Sequence, residues 1–155
     1  MLPLQQLSDV EIDGSELLPR FVVDYRFAPN LVAYGSITRG YRPPGGNFEP
    51  DNETVAVFDA EKSWNYEIGL KSSWLDNRLT VNLAGFYNDT TNFQSPSVQD
   101  GIVTITNADI RTIGAELELT ARPISGLELS AGLGLLDAEF QNGVDFATGQ
   151  AIEGK

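Results

Sequence analysis

The chain has 155 residues, the length of one ordinary domain, and its 22 acidic and 10 basic side chains give a net charge of −12. It contains neither Cys nor His, which excludes thiol nucleophiles, Ser-His-Asp triads, structural disulfides, and haem or zinc held by those residues. The acidic balance argues against nucleic acid as a partner, because phosphate backbones are bound by Lys and Arg. The sequence has no run of about 20 apolar residues that would form a transmembrane helix. Residues 1–6 also lack the features of a signal peptide.

Over most of the chain, apolar residues recur at every second position, which indicates β-strands rather than helices. The first strand is predicted in residues 20–27, where the odd positions are Phe21, Val23, Tyr25 and Phe27. Residues 31–40 are also strand-like, without a clear assignment of faces. The third strand is predicted in residues 64–74, where the even positions are Trp64, Tyr66, Ile68, Leu70, Ser72 and Trp74.

Three further strands follow with the same period. Apolar positions of the fourth strand are Leu79, Val81, Leu83 and Tyr87. Those of the fifth are Ile113, Ala115, Leu117, Leu119 and Ala121. Those of the sixth are Leu127, Leu129, Ala131, Leu133 and Leu135. Asp109 and Arg111 share the apolar parity of the fifth strand. In a membrane barrel, charges on that face would be costly in lipid. We therefore expect residues 102–110 to be a strand extension above the membrane, paired with an extension of the fourth strand beyond Tyr87.

Short and long connections alternate strictly between these strands. The short ones, rich in turn-forming residues, are 28–30, 75–77 and 122–126. The long polar ones are 41–63, 96–101 and the residues after 139. In an antiparallel meander this places all short turns at one end of the sheet, which is the layout of an outer-membrane barrel. The third strand, at about 3.3 Å per residue and 40° tilt, crosses roughly 28 Å, enough to span the apolar band.

Aromatic residues are predicted to form girdles at both ends of the strands. Phe27 and Trp74 lie next to short turns, and Tyr41, Trp64, Phe86 and Tyr87 lie towards the long loops. Alternation alone does not show which face is dry, so a soluble small-ligand-binding β-barrel or sandwich with an apolar interior is the alternative. The turn pattern and the aromatic residues favour the membrane.

We therefore predict an all-β antiparallel meander that forms part of a transmembrane β-barrel, with helix nearly absent. About six strands are expected, centred near residues 23, 35, 69, 84, 113 and 131. Residues 1–18 are predicted to be an irregular N-terminal segment, residues 19–140 the barrel wall, and residues 141–155 the remnant of an extracellular loop.

Several segments occur in an order typical of one family: YGSITRGYRP (34–43), NYEIGLKS (65–72), DNRLTVN (76–82), FYND (86–89) and GAELELT (114–120). Over roughly residues 21–140 the chain resembles TonB-dependent outer-membrane receptors. The resemblance implies part of a barrel of about 22 strands in the bacterial outer membrane. Such a barrel lies among outer-membrane lipid and imports a ligand such as a ferric siderophore with a TonB-type energy-coupling protein.

Six strands are about a quarter of such a barrel, and the family's N-terminal plug and energy-coupling segment are absent from this sequence. The resemblance therefore implies a fragment or truncated product that is inactive in transport by itself.

Five residues are candidates for ligand binding at the extracellular mouth. Arg39, Tyr41 and Arg42 follow one another at the end of the second strand, and Arg clusters suit anions such as ferric chelates. Asn47 and Phe48 lie in the loop that follows. The alternative interpretation is that Arg39, Tyr41 and Arg42 are interfacial anchors and loop supports. No catalytic residue, metal site or cofactor is predicted.

Five charged residues alternate onto the polar face: Glu67, Lys71, Glu116, Glu118 and Glu128. As paired carboxylates they would suit acid–base catalysis, for example by a polysaccharide-acting enzyme. As a polar lining of a barrel lumen they would form cross-strand ion pairs. The strand period favours the lining, so we do not expect an enzyme.

Overall fold

The computed structural model describes residues 15–49, 54–99, 102–142, 144–145 and 150–151. All regular structure in these ranges is β. The strands are β1 (Arg20–Ala28), β2 (Leu31–Arg42), β3 (Gly45–Glu49), β4 (Thr54–Phe58), β5 (Glu61–Trp74), β6 (Leu79–Gln99), β7 (Ile102–Ala121), β8 (Leu129–Asn142), β9 (Val144–Asp145) and β10 (Gln150–Ala151). Within the described residues, no helix has the length and apolar character needed to cross a membrane.

Six strands form one antiparallel sheet in the order β1-β2-β5-β6-β7-β8, so sequence neighbours pair throughout. This confirms the predicted meander. The sheet is not closed, and β1 and β8 are its edges. Strands β3 and β4 form a hairpin within the connection between β2 and β5, and β9 pairs with β10.

The predicted division of the chain is only partly within the described residues. The predicted loop remnant, residues 141–155, contains the last two residues of β8 and the strands β9 and β10. The rest of it lies outside the described residues, as do residues 1–14 of the predicted N-terminal segment.

The short connections lie at one end of the sheet, as predicted. Asp76 and Asn77 have φ of 57° and 64°, and the amide of Arg78 donates to the carbonyl of Leu75 at 3.1 Å. Leu75 also has positive φ, at 55°, and the ladder closes at the pair Trp74↔Leu79, so residues 75–78 form a four-residue hairpin turn. The turn before β8 is longer than expected. β8 begins at Leu129 rather than two residues earlier, because the amide of Leu127 bonds within the turn to the carbonyl of Ile124.

The connection between β6 and β7 is far shorter than predicted. The ladder continues to the pair Gln99↔Ile102, with one register shift between Thr90 and Phe93, so the expected strand extension is confirmed and the expected loop at 96–101 is wrong. Pro96 is tolerated there because the N–H and C=O of its partner Ile105 bond elsewhere, to Asn47. A proline in a pair that exchanges no hydrogen bond costs the ladder nothing.

One face of the sheet is apolar from edge to edge. The register aligns Val23, Gly35, Ile68, Gly85, Ala115 and Leu135 in one row across all six strands. Ile68 is 71% exposed and Leu133 is 61% exposed. The predicted dry surface lies on this face, which we call the apolar face: Ile68, Leu70, Leu117, Leu119, Leu129 and Leu133. The soluble-barrel alternative would turn these side chains into a closed interior, and the structure leaves them exposed.

Aromatic rings mark the end of the apolar face that lies opposite the short turns, which we call the upper end. The ring centroids of Trp64 and Tyr66 are 6.4 Å apart, and those of Tyr66 and Tyr87 are 6.1 Å apart. Phe86 was expected in this girdle, and that expectation is wrong. Phe86 pairs with Gly114 on the opposite, polar face and lays its ring over that glycine.

The polar face repeats this arrangement of an aromatic ring over a cross-strand glycine. Tyr34 pairs with Gly69, and a Cβ built on Gly69 would lie 2.5–2.7 Å from atoms of the tyrosine ring. Lys71 continues the stack, with its Nζ 5.0 Å from the centroid of the same ring. Aromatic rings over glycines restore the packing that a glycine removes from a strand.

The predicted cross-strand ion pairs of the polar face are largely replaced by other contacts. Glu118 accepts a hydrogen bond from Asn82 at 3.4 Å, and Lys71 lies over Tyr34. Glu128 forms an ion pair, at 2.7 Å, with Arg122 of the neighbouring turn rather than across two strands. The register explains this outcome for two of the glutamates, because Glu67 lies opposite Ser36 and Phe86, and Glu116 lies opposite Ala84 and Gly134.

The Tyr34–Gly69 pair gives a prediction about stability. We expect Gly69→Ala to lower the free energy of unfolding by about 1–3 kcal/mol, because the new methyl group overlaps the tyrosine ring. Gly134→Ala is the matched control, since a Cβ there meets no atom within 4 Å, and its effect should stay within about 0.5 kcal/mol. Urea titration of the complete protein refolded in lipid vesicles measures both. Equal midpoints for the two variants would show that the ring does not occupy this space.

Candidate functional site

The end of the sheet opposite the short turns carries the predicted site residues, and the strand period divides them. Arg39 and Tyr41 lie on the apolar face, at the same odd positions of β2 as Ile37. Arg42 lies on the polar face. Arg42 is exposed and lies opposite Glu61 in the ladder. The structure therefore does not bring the two arginines together as one anion-binding cluster.

Arg39 is held by three contacts within the chain. Its guanidinium lies 5.1 Å from the centroid of the Trp64 ring and forms an ion pair, at 3.2 Å, with Glu16. Its backbone amide donates to the carbonyl of Pro19 at 3.0 Å. These contacts match the anchoring role that was the alternative for Arg39. Its role in ligand binding stays a prediction, as does that of Tyr41.

Glu16 links β2 and β5 from the segment that precedes β1. Besides Arg39, it contacts Lys62, whose Nζ lies 2.9 Å from the carboxylate. The hydrogen bonds from Lys62 and, next, Arg39 lower the pKa of Glu16 below its ordinary value. The segment leading into β1 is thus fixed to the upper end of the sheet by charge.

Asn47 attaches the β3–β4 hairpin to β7. Its amide nitrogen donates to the carbonyl of Ile105 at 2.6 Å, and its amide oxygen accepts from the Ile105 amide at 2.8 Å. The side chain thus bonds to Ile105 as a peptide group of a neighbouring strand would. Phe48 pairs with Val55 within the hairpin, and its side chain lies outside the described part of the chain, so its predicted role is untested.

Gln94 attaches to β6 both ends of the connection between β2 and β5, which contains the β3–β4 hairpin and which we call the excursion. Its amide nitrogen donates to the carbonyls of Pro43, at 2.8 Å, and Asp59, at 3.2 Å. Its backbone amide donates to the carboxylate of Glu61 at 2.9 Å. Gln94 is 3% exposed. A buried amide with both donor positions bonded is a strong local constraint.

Further side-chain amides extend this network. Asn107 donates to the carbonyls of Asp59, at 3.1 Å, and Asn92, at 2.8 Å, and accepts from the amide of Asp59 at 2.7 Å. Asp109 accepts from the backbone amide of Asn92 at 2.8 Å and from the side chain of Asn142 at 2.7 Å. The hairpin is therefore bonded to the extension of β6 and β7 rather than free of the barrel wall.

The sequence patterns did not predict this network. Asn92, Gln94, Asn107 and Asp109 lie within strands, where Asn and Asp are disfavoured. That was the available signal, because unfavourable residues in a strand are retained where their side chains bond to other backbone groups. Their partners lie 15 to 51 residues away in sequence and are not identifiable from spacing.

In the part of the chain that the structure describes, this end of the sheet offers a shaped polar surface. Within the described residues, no cluster of acidic side chains has the form of a metal site. The carboxylates of Glu16, Glu61, Asp109 and Glu139 accept hydrogen bonds from backbone amides, side-chain amides or basic groups. Such a surface is suited to recognition by shape and hydrogen bonding.

The contacts of Glu16 give a prediction about pH. Lys62→Met should raise the pKa of Glu16 towards its ordinary value near 4.5, because it removes the largest cause of the shift. Lys71→Met is the matched control, since Lys71 lies on the polar face over Tyr34, and it should leave the pKa unchanged. An NMR titration of the Glu16 carboxyl carbon in detergent-solubilised protein measures both.

The sign of the linked stability follows from the direction of this shift. A carboxylate with a lowered pKa in the folded state stabilises it above the ordinary value, and that contribution disappears as the pH falls through the lowered pKa. Residues 15–19 should therefore be held more firmly at pH 6 than at a pH below the lowered pKa of Glu16. An identical Glu16 titration in wild type and Lys62→Met would contradict the assignment.

The chain matches the family model described as TonB dependent receptor-like, beta-barrel, over residues 5–154. The pesticin receptor of Yersinia enterocolitica is 30% identical over 142 residues, which cover 90% of this chain and 21% of that receptor. The ferric-pyoverdine M114 receptor PbuA of Pseudomonas sp. (strain M114) is 28% identical over 129 residues, covering 82% of this chain and 15% of that receptor. The chain thus spans about a fifth or less of these relatives.

Solved structures show the same likeness. The ferric yersiniabactin uptake receptor FyuA from Yersinia pestis superimposes with a TM-score of 0.65 at 29% identity, covering 79% of this chain and 18% of that one. The pyoverdine outer membrane receptor FpvA from Pseudomonas aeruginosa PAO1 has a TM-score of 0.61 at 22% identity, a likeness in fold, and covers 87% of this chain and 20% of that one. Because the family model matches nearly the whole sequence, the chain belongs to the TonB-dependent receptors, as part of their β-barrel domain.

Proposed function

We propose that this chain forms six adjacent wall strands of an outer-membrane receptor that imports a ferric siderophore or a similar metal chelate. The relatives are named as receptors for ferric pyoverdine and metal-pseudopaline, and a solved neighbour as an uptake receptor for ferric yersiniabactin. These names support a transport receptor rather than an enzyme. In the proposed function a TonB-type protein supplies the energy for import.

The observation that carries this proposal is the exposed apolar face. An antiparallel sheet with one polar face and one apolar face, bounded by aromatic rings, is suited to a barrel wall between lipid and a wet lumen. Trp64 and Trp74 lie on the apolar face at the two ends of β5, where interfacial aromatic residues belong. The outer membrane is the proposed location, and its lipid the partner of this face.

The upper end of the sheet would then face the outside of the cell. The β3–β4 hairpin and the extension of β6 and β7 project from the wall there, and loops placed on a rigid scaffold commonly carry recognition. Arg42, Asn47 and Phe48 belong to this end. With Arg39 and Tyr41 they remain proposed ligand-binding residues of the extracellular mouth.

A first test concerns the 155-residue chain by itself. Its apolar face and its two open edges have no cover within the described structure, so the purified chain should aggregate in plain buffer and require detergent. In detergent it should show no measurable affinity for ferric yersiniabactin or ferric pyoverdine, because the proposed site also needs the plug and other loops. Isothermal titration measures the affinity. Micromolar binding, or a monodisperse monomer without detergent, would contradict the proposal.

A second test concerns the hairpin in the complete receptor. Replacing residues 44–58 by a short Gly-Ser linker should weaken uptake of the radiolabelled ferric chelate and leave barrel assembly intact, because the six-stranded ladder does not depend on the hairpin. Replacing the turn residues Asp76 and Asn77 by Asn and Gly keeps positive φ at the opposite end and serves as the control. Surface labelling reports assembly. Unchanged uptake without the hairpin would refute its role in recognition.

A further inference from the structure

One buried side chain closes the base of the excursion between β2 and β5. Pro43 follows β2 and Asp59 precedes β5, and the amide nitrogen of Gln94 donates to the carbonyls of both, at 2.8 Å and 3.2 Å. These two carbonyls belong to the points where the chain leaves the sheet and returns to it. Gln94 therefore fixes where the excursion begins and where it ends.

The far part of the excursion has separate attachments. Asn47, in the middle of β3, exchanges two hydrogen bonds with the backbone of Ile105. Asn107 donates to the carbonyl of Asp59 and accepts from its amide. Ile105 and Asn107 both lie on the extension of β6 and β7. The hairpin is thus held at its base and along β3 by side-chain amides.

Burial makes Gln94 the strongest of these attachments. Above the membrane, water competes for every polar group, and an exposed amide gains little by bonding to protein instead of water. Gln94 is 3% exposed, so its two donors and the carbonyls they reach are shielded. Removing the amide leaves carbonyl groups without their donor, and this costs more than the loss of an exposed hydrogen bond.

We infer that Gln94 is a positioning residue, which holds residues 43–49 and 54–59 in their ligand-competent place before the ligand arrives. The inference rests on the proposed function and adds to it a residue that positions the ligand-binding loop. A loop ordered in advance does not lose its conformational freedom when the ligand binds, so preorganisation raises affinity without a new contact. Gln94 itself need not touch the chelate.

The first experiment tests the attachment without a ligand. Hydrogen exchange is followed by mass spectrometry in the complete receptor, with Gln94→Leu as the test variant. Amides of residues 45–49 and 54–58 should exchange about tenfold faster, the size expected for a lost buried hydrogen-bonding group. Thr106→Val is the matched control, because its hydroxyl bonds within the extension, to the carbonyl of Ser95 at 3.3 Å. Unchanged exchange in Gln94→Leu would overturn the inference.

A second variant separates local attachment from failure to fold. Asn47→Ala removes the bonds to Ile105 and leaves Gln94 and the base intact. It should speed exchange in residues 45–49 and 54–58 and leave Asp59 and the residues of β5 protected, whereas Gln94→Leu should also expose Asp59. Identical exchange maps for the two variants would contradict a separate role for Gln94.

The last experiment links the attachment to recognition, with ferric yersiniabactin and ferric pyoverdine as probes. For a probe that the wild type binds, Gln94→Leu should raise the apparent Kd about tenfold, because a smaller fraction of receptors is competent, with the number of binding sites unchanged. Fewer sites with an unchanged Kd would indicate a purely structural role and overturn the inference. If the wild type binds neither probe, the proposed function fails, while the exchange data still decide whether Gln94 holds the excursion.

Discussion

In the proposed outer-membrane receptor, the strands lie in hydrocarbon, which offers no hydrogen bonds, and this constraint accounts for most of the sheet. Each backbone polar group at membrane depth must bond within the ladder, so strands pair with their neighbours without interruption. Because side chains alternate, the register then decides which of them meet lipid, and a slip of one residue would turn the polar side chains outwards. The row from Val23 through Ile68 to Leu135 is consistent with a register fixed in this way across six strands.

The constraint ends near the level of Trp64. In the same row and on the same parity, β6, β7 and β8 carry Asp89, Arg111 and Glu139. Arg111 and Glu139 form an ion pair. Charges on a lipid-facing side of a strand are acceptable only where water begins, so in the proposed receptor this row marks the upper edge of the apolar band. Above it the structure uses side-chain amides to bond backbone groups that have no neighbouring strand.

The division between these two regions explains what the sequence could predict. The six strands of the main sheet, their order and the turn at Asp76-Asn77 depend on local patterns such as the two-residue period, and these predictions are confirmed. The β3–β4 hairpin was not predicted, and the turn before β8 is longer than expected. The glycine and aromatic pairs depend on which residues of two strands lie opposite each other. Phe86 was therefore assigned to the wrong face, although it directly precedes Tyr87 and adjacent residues of a strand point to opposite faces. Gln94 depends on groups 35 and 51 residues away, and no local pattern reports such partners.

The candidate ligand-binding residues show the same limit of local sequence patterns. Arg39 and Arg42 are close in sequence and suggest one cationic cluster, but three positions along a strand place them on opposite faces. The faces of β2 were ambiguous because Leu31, Val32, Ala33 and Tyr34 are apolar in succession. Tyr34 is needed on the polar face to cover Gly69, and this packing obscures the alternation. In the proposed receptor, a chelate within the barrel mouth would meet the face of Arg42, whereas Arg39 lies on the opposite face in contact with Glu16 and Trp64.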